Sequence, residues 1–176
     1  MLKIGQERVT IAQIAYIVKD VEASMKFYVE HLGVGPWFVA GPFRPAKPVF
    51  RGSTAVPLFT LALAYSGEMM IELIQQHDDT PSIVSEAVAA RGYGFHHWGV
   101  VVKDFDAAVA RYQQQGFEIA FSDTAPMGMR VAYMDTLGVL PGMVELLEGN
   151  AAYDGAFGPI RQASIGWDGS DPIRRA

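Results

Sequence analysis

Apolar residues run almost unbroken through 9–18, 59–66, 68–76 and 95–102. In each run both alternating sets of side chains are apolar, so these strands are buried on both faces. Between them the period lengthens. Val21, Met25, Tyr28 and Leu32 share one helical face over 20–32, with Asp20 as N-cap and Gly33 as stop. A Gly/Pro-rich stretch, 33–57, holds a short strand at 37–39, and strands 59–66 and 68–76 join tightly at Ser66-Gly67. The order β-α-β-β-β then recurs. A connector with a helix from Ser82 to Ala90, capped by Thr80 ahead of Pro81, leads to a strand at 95–102. A helix capped by Asp104 follows, with Ala108, Tyr112 and Gln115 on one side and Gly116 as stop, then strands at 117–122, 129–135 and 142–148.

The recurrence extends to residue identity. With His97 laid on Gln13, an offset of 84, Val18/Val102, Lys19/Lys103, Asp20/Asp104, Ala23/Ala107 and Tyr28/Tyr112 coincide. The expected fold class is therefore α+β, two βαβββ modules with helices outside and a curved sheet interior. The expected division is 1–76 and 94–150 for the modules, 77–93 for the connector and 151–176 for a C-terminal appendage. In that appendage Phe157, Ile160 and Trp167 offer docking groups.

Bulk properties narrow the function. Half of the 176 residues are hydrophobic, enough for a real core. A net charge of -5 and a pI near 5.3 exclude the basic face that nucleic acid needs, and scattered Lys and Arg exclude a membrane-surface patch. With no cysteine, disulfides and thiolate metal sites are impossible. The start, 1–8, has no apolar signal core and no run reaches membrane-spanning length, so a soluble cytoplasmic protein is expected.

Four apolar strands each carry one polar misfit: Gln13, Glu72, His97 and Glu145. Burying an unpartnered amide costs roughly 1–3 kcal/mol and a carboxylate more. A single such residue is ordinarily half-exposed or packed. Here all four fall on the first and last strands of a duplicated frame, Glu72 and Glu145 corresponding through Met70-Ile71-Glu72-Leu73-Ile74 and Met143-Val144-Glu145-Leu146-Leu147. If the halves pair with pseudo-twofold symmetry, the four converge on one interior point. Two carboxylates, an imidazole and an amide there suit a divalent cation, with Zn, Ni, Co or Mn fitting the oxygen-rich set. Adjacent strand residues face opposite ways, so only one of His96 and His97 points inward, and the repeat selects His97.

On these residues the chain resembles, over roughly 9–150, the vicinal oxygen chelate superfamily of glyoxalase I, methylmalonyl-CoA epimerase, extradiol dioxygenases and bleomycin-resistance proteins. The resemblance implies eight strands in a half-open, cup-shaped sheet around a metal held by Gln13, Glu72, His97 and Glu145. Gly94-Phe95-His96-His97, Asp79-Thr80-Pro81-Ser82 and Glu72-Leu73-Ile74 look like the epimerase branch. The Gln/Glu/His/Glu set is similar to zinc-type glyoxalase I. Two departures matter. Ile17 stands where that glyoxalase has an Arg for glutathione carboxylate, and the epimerase has His at the position of Gln13. No acidic residue lies between Glu30 and Glu68, the region from which the epimerase branch draws one of its two bases.

The implied activity is that of a divalent-metal-dependent isomerase or lyase, abstracting a proton next to a carbonyl or thioester and stabilising a metal-bound enediolate. Glu145 is the candidate base by analogy with the glyoxalase, with Glu72 its symmetric alternative. The expected partner is a small molecule, an anion or acyl thioester, and the modules pair within one chain or across a homodimer. Arg44, Lys47 and Arg51 are candidate contacts for an anionic group, although solvated loop charges explain them as well. A non-catalytic resistance-type binder is the alternative. An extradiol-type dioxygenase would need two His and a carboxylate on Fe(II), and only His97 is placed for it, since His31 closes a helix and His77 follows a strand.

Overall fold

Asp20 and Asp104 open equivalent helices, as their places in the repeat require. Asp20 accepts from the Ala23 N–H and Asp104 from the Ala107 N–H, both at 3.0 Å, satisfying donors that a helix start leaves free. The computed structural model describes residues 9–125 and 128–175. The start at 1–8 lies outside these, as do Pro126, Met127 and Ala176.

The first half runs β1 (Ile11–Ile17), α1 (Val21–Leu32), β2 (Trp37–Phe43), β3 (Val49–Phe50), β4 (Phe59–Ser66) and β5 (Met69–Gln76). The connector helix is α2 (Ile83–Arg91). The second half runs β6 (Gly94–Val102), α3 (Phe105–Gln114), β7 (Ile119–Thr124), β8 (Arg130–Met134) and β9 (Met143–Glu148). Beyond it lie α4 (Ala151–Ser164) and β10 (Ile173–Arg175).

One sheet takes all ten strands, in the order β10-β2-β4-β5-β1-β6-β9-β8-β7-β3. The halves meet through antiparallel β1 and β6, within a single chain. The register carries the symmetry. Moving both partners by the 84-residue offset turns Gln13↔Gly99 into His97↔Ala15 and returns Ile14↔Trp98 to itself. A pseudo-twofold axis therefore passes between Ile14 and Trp98.

The sheet has to bend. From Phe43 at the end of β2 to Val49 at the start of β3 the chain reaches at most roughly 20 Å. A flat sheet would hold these strands, eight spacings apart in the order, roughly 38 Å from each other. The sheet therefore curves while staying open, in keeping with the expected half-open cup.

On its outer face α1 seats Val21 and Met25 against Trp37, Ala62 and Leu73, while α3 seats Phe105 and Ala108 against Val102, Met134 and Leu146. The other two helices lie on the inner face. Ile83, Val84 and Ala87 of α2 pack with Ala15, Ile17, Ile74, Tyr133 and Met143. Ile160 of α4 packs with Tyr65 and Met70, so the appendage docks as expected, with Trp167 lying against Gly35.

Local details depart from expectation. Leu32, placed on the packing stripe of α1, is 57% exposed, because the helix ends there and Gly33 turns away at φ 63. Ser82, not Thr80, caps α2: its Oγ accepts from the Val84 and Ser85 N–H groups, and Ser85 Oγ accepts from the Ser82 N–H. Thr80 instead offers its carbonyl to the Gln76 amide.

Candidate metal centre

Paired strands deliver the four misfits to one face. Glu72 on β5 stands beside Ala15 of β1, and Glu145 on β9 beside Gly99 of β6, and the 84-residue offset interconverts Ala15 and Gly99. Gln13 and His97 occupy the matching diagonal sites two residues away, so each half presents one first-strand donor and one last-strand carboxylate inward.

All four are buried: Gln13 is 2% exposed, Glu72 6%, His97 0% and Glu145 5%. His97 Nε2 lies 3.1 Å from Glu145 Oε2 and 3.4 Å from Glu72 Oε2. The ligating atoms of Glu72, His97 and Glu145 all fall within 4.8 Å of one another. Gln13 Oε1, Glu72 Oε2, His97 Nε2 and Glu145 Oε2 each lack a hydrogen-bond partner. With both carboxyls ionised, three of these atoms accept and only His97 donates, so a proton on His97 leaves oxygens unsatisfied. One cation could be held by the Glu72, His97 and Glu145 atoms together. Donors bound at roughly 2.0–2.2 Å sit about 3–4 Å apart, the separation that His97 shows from both carboxylates.

Electrostatics point the same way. Burial, and then the Glu145 carboxylate, push the Glu72 carboxyl well above its ordinary range. A carboxyl raised in the folded state binds more protons there than in the unfolded chain. Its stabilising contribution is complete below the unfolded value of about 4.3 and is lost as pH rises through the folded value. Metal-free protein therefore loses stability with rising pH through this group, and Glu72→Gln, which cannot ionise, flattens the dependence. Urea unfolding of metal-free wild type and variant between about pH 5 and 8 checks this; equal slopes would contradict it.

Three neighbours escaped the sequence. The β1–β6 ladder steps from Ala15↔His97 to Tyr16↔Phe95 and skips His96. This bulge turns both imidazoles inward, contrary to the strict alternation expected of the pair. His96 is fully buried, with Nδ1 2.9 Å from His97 Nδ1. Burial and then His97 hold it well below the ordinary histidine range, as a neutral ring. Tyr133 stands opposite Glu145 across β8–β9, its ring edge-on to His97 at 4.9 Å. Burial, then Glu145 and Glu72, push its phenol well above its usual value. Tyr153 of α4 is raised to about 12, by burial first, then Tyr65, Asp154 and Glu145. No periodicity marks out a lone Tyr in an apolar strand.

Gly99 makes room for Gln13. A Cβ on Gly99 would sit 2.7 Å from the Gln13 Cβ, an atom fixed by its own backbone. Gly99→Ala should displace the amide, destabilise the fold by about 1–3 kcal/mol and weaken metal uptake, as thermal unfolding and metal titration will show.

The two loop arginines are already paired with carboxylates. Arg44 donates to the Val56 carbonyl and pairs with Asp78 at 3.0 Å, and Arg51 pairs with Glu86 and Asp135 at 2.6 and 2.7 Å. Lys47 is fixed through its backbone N–H, which donates to Asp123 at 2.7 Å. His77 and His31, which the sequence places away from the cluster, stand apart from it. His77 Nε2 lies 2.7 Å from Thr60 Oγ1, and the His31 ring packs on Phe27. A groove of about 490 Å³ between β1 and α1, lined by Tyr16, Lys19, Phe27 and Tyr93, lies on the outer side and touches none of the four donors.

The family model described as Glyoxalase/Bleomycin resistance protein/Dioxygenase superfamily matches residues 12–133, which include Gln13, Glu72 and His97. Among solved structures, a hypothetical protein from Bacillus halodurans C-125 is similar at 18% identity, with a TM-score of 0.60 over 82% of this chain and 96% of that one. Methylmalonyl-CoA epimerase from Mycobacterium tuberculosis is similar at 16% identity, TM-score 0.59, over 86% and 97%. A variant methylmalonyl-CoA epimerase from Streptomyces coelicolor, in complex with 2-nitronate-propionyl-CoA, is similar at 20% identity, TM-score 0.50, over 81% and 95%. No curated protein sequence matches the chain significantly. Among the described residues no helix is long and apolar enough to cross a membrane.

Proposed function

The chain belongs to the glyoxalase/bleomycin resistance protein/dioxygenase superfamily, and we infer that it is a divalent-metal-dependent isomerase or lyase of the glyoxalase/epimerase type. It would remove a proton next to a carbonyl or thioester group. The observation that carries this reading is the set of four buried, inward-facing donor atoms without partners. Gln13, Glu72, His97 and Glu145 would hold the ion, Zn, Ni, Co or Mn by donor chemistry. When bound, such a cation supplies a Lewis acid that polarises a carbonyl oxygen and stabilises the negative charge left by proton removal.

The residues then divide the work. Glu145 accepts the proton, and the reason to prefer it over Glu72 is an asymmetry in the sheet. Tyr133 stands across from Glu145, whereas Leu63 stands across from Glu72. A phenol is able to donate to a carboxylate and orient it; a leucine is not. Gln13, a neutral amide, would be the weakest of the four in holding the ion. The apolar inner face excludes water. All four donors are buried, so substrate must displace part of what covers them.

Acyl thioesters and 2-oxo compounds are the substrate classes to test. The acyl-CoA compound in the similar epimerase structure favours the former. Ile17, buried among apolar neighbours of the inner face, provides no charge for a glutathione carboxylate. Incubation of metal-loaded protein in deuterium oxide with each class should put deuterium next to the carbonyl, and chelator should suppress it. Exchange indifferent to metal, or none with either class, would overturn the reading.

A further inference from the structure

We propose that His96 is a positioning residue that fixes the tautomer of His97, and so the direction of its free nitrogen toward the metal. The proposal rests on the metal-centre reading above. The two imidazoles meet Nδ1 to Nδ1 at 2.9 Å, both fully buried. A contact of that length between two ring nitrogens holds one proton: one Nδ1–H donates and the other Nδ1 accepts. His97 Nε2 is the atom that faces Glu72 and Glu145, at 3.4 and 3.1 Å. As a ligand it must offer a lone pair there, so a neutral His97 carries its proton on Nδ1 and donates it to His96. His96 is then the acceptor at Nδ1 and carries its own proton on Nε2, a buried nitrogen that no hydrogen-bond partner meets among the described residues.

The geometry that permits this is local. In a regular strand residues 96 and 97 would point to opposite faces, and their rings would never meet. The bulge that leaves His96 out of the β1–β6 ladder brings them onto one side. Tyr133 braces both, with ring centroids 4.9 Å from His97 and 6.0 Å from His96. Metal-bound histidines ordinarily donate their second nitrogen to a carboxylate, carbonyl or water. Among the described residues His97 Nδ1 has only this imidazole for that purpose.

The test compares wild type, His96→Asn and His96→Phe. Asn keeps an acceptor close to the former Nδ1, while Phe keeps a ring of similar shape and removes the acceptor. Zn²⁺ affinity by competition titration should fall about 10–100-fold in His96→Phe and stay close to wild type in His96→Asn. Imidazole ¹⁵N shifts of the Zn²⁺-loaded wild type should show His97 protonated at Nδ1 and His96 at Nε2. Unchanged affinity in a folded His96→Phe, or His97 found protonated at Nε2, overturns the proposal while leaving the metal centre standing. A wild-type chain that takes up no Zn²⁺, Ni²⁺, Co²⁺ or Mn²⁺ overturns the metal-centre reading itself and this proposal with it. Should His96→Phe fail to fold, the wild-type shifts decide.

Discussion

Replacing His97 with Ala will strip the chain of tightly held divalent metal. His97 Nε2 is the one nitrogen among the inward donors and lies between both carboxylates. Its loss leaves two buried acids and an amide, a set that water or protons satisfy as well as a transition metal does. Affinity should fall by more than the roughly 10–100-fold that loss of an outer-shell partner costs. Unfolding provides an independent measure. Metal at 100 times its dissociation constant adds about 2.7 kcal/mol to the folded state, and the variant should show no such gain. A variant whose melting temperature still rises with added metal would place the binding site elsewhere.

Glu145→Gln should abolish proton exchange while leaving the fold intact. Gln has nearly the shape of Glu and keeps an acceptor oxygen, so the metal should remain, held less tightly. What disappears is the base. Positioned bases contribute about 10²–10⁴-fold, and deuterium incorporation should drop by that factor at saturating metal. Glu72→Gln is the informative partner. The two carboxylates are related by the pseudo-twofold axis and differ in what faces them, Tyr133 or Leu63. If Glu72→Gln suffers the full loss and Glu145→Gln does not, the roles are exchanged and the Tyr133 argument fails.

The duplicated frame and its inward donors were legible because duplication leaves two independent copies of one signal. Asp20 and Asp104 cap, Gln13 and His97 correspond, and the offset that aligns them is the offset that the β1–β6 register obeys. What escaped lacks a second copy. The strand at Val49–Phe50 has two residues and pairs at the far edge with β7, so no local period announces it. The helix Ala151–Ser164 contains Gly155, Gly158 and Pro159, which read as punctuation; burial of Ile160 against Tyr65 and Met70 overrides them. The His96 bulge has no composition signature, since alternation is the default for a strand and its failure shows only in the ladder. Arg44 and Arg51 looked available because their partners, Asp78, Glu86 and Asp135, are distant in sequence.

The most direct test of the account is the metal content of the wild-type chain, measured by elemental analysis after expression with Zn, Mn, Co and Ni supplied and after exhaustive dialysis. The account predicts one transition-metal ion per chain, released by chelator. A folded chain that retains none, and whose unfolding ignores every added ion, would contradict it.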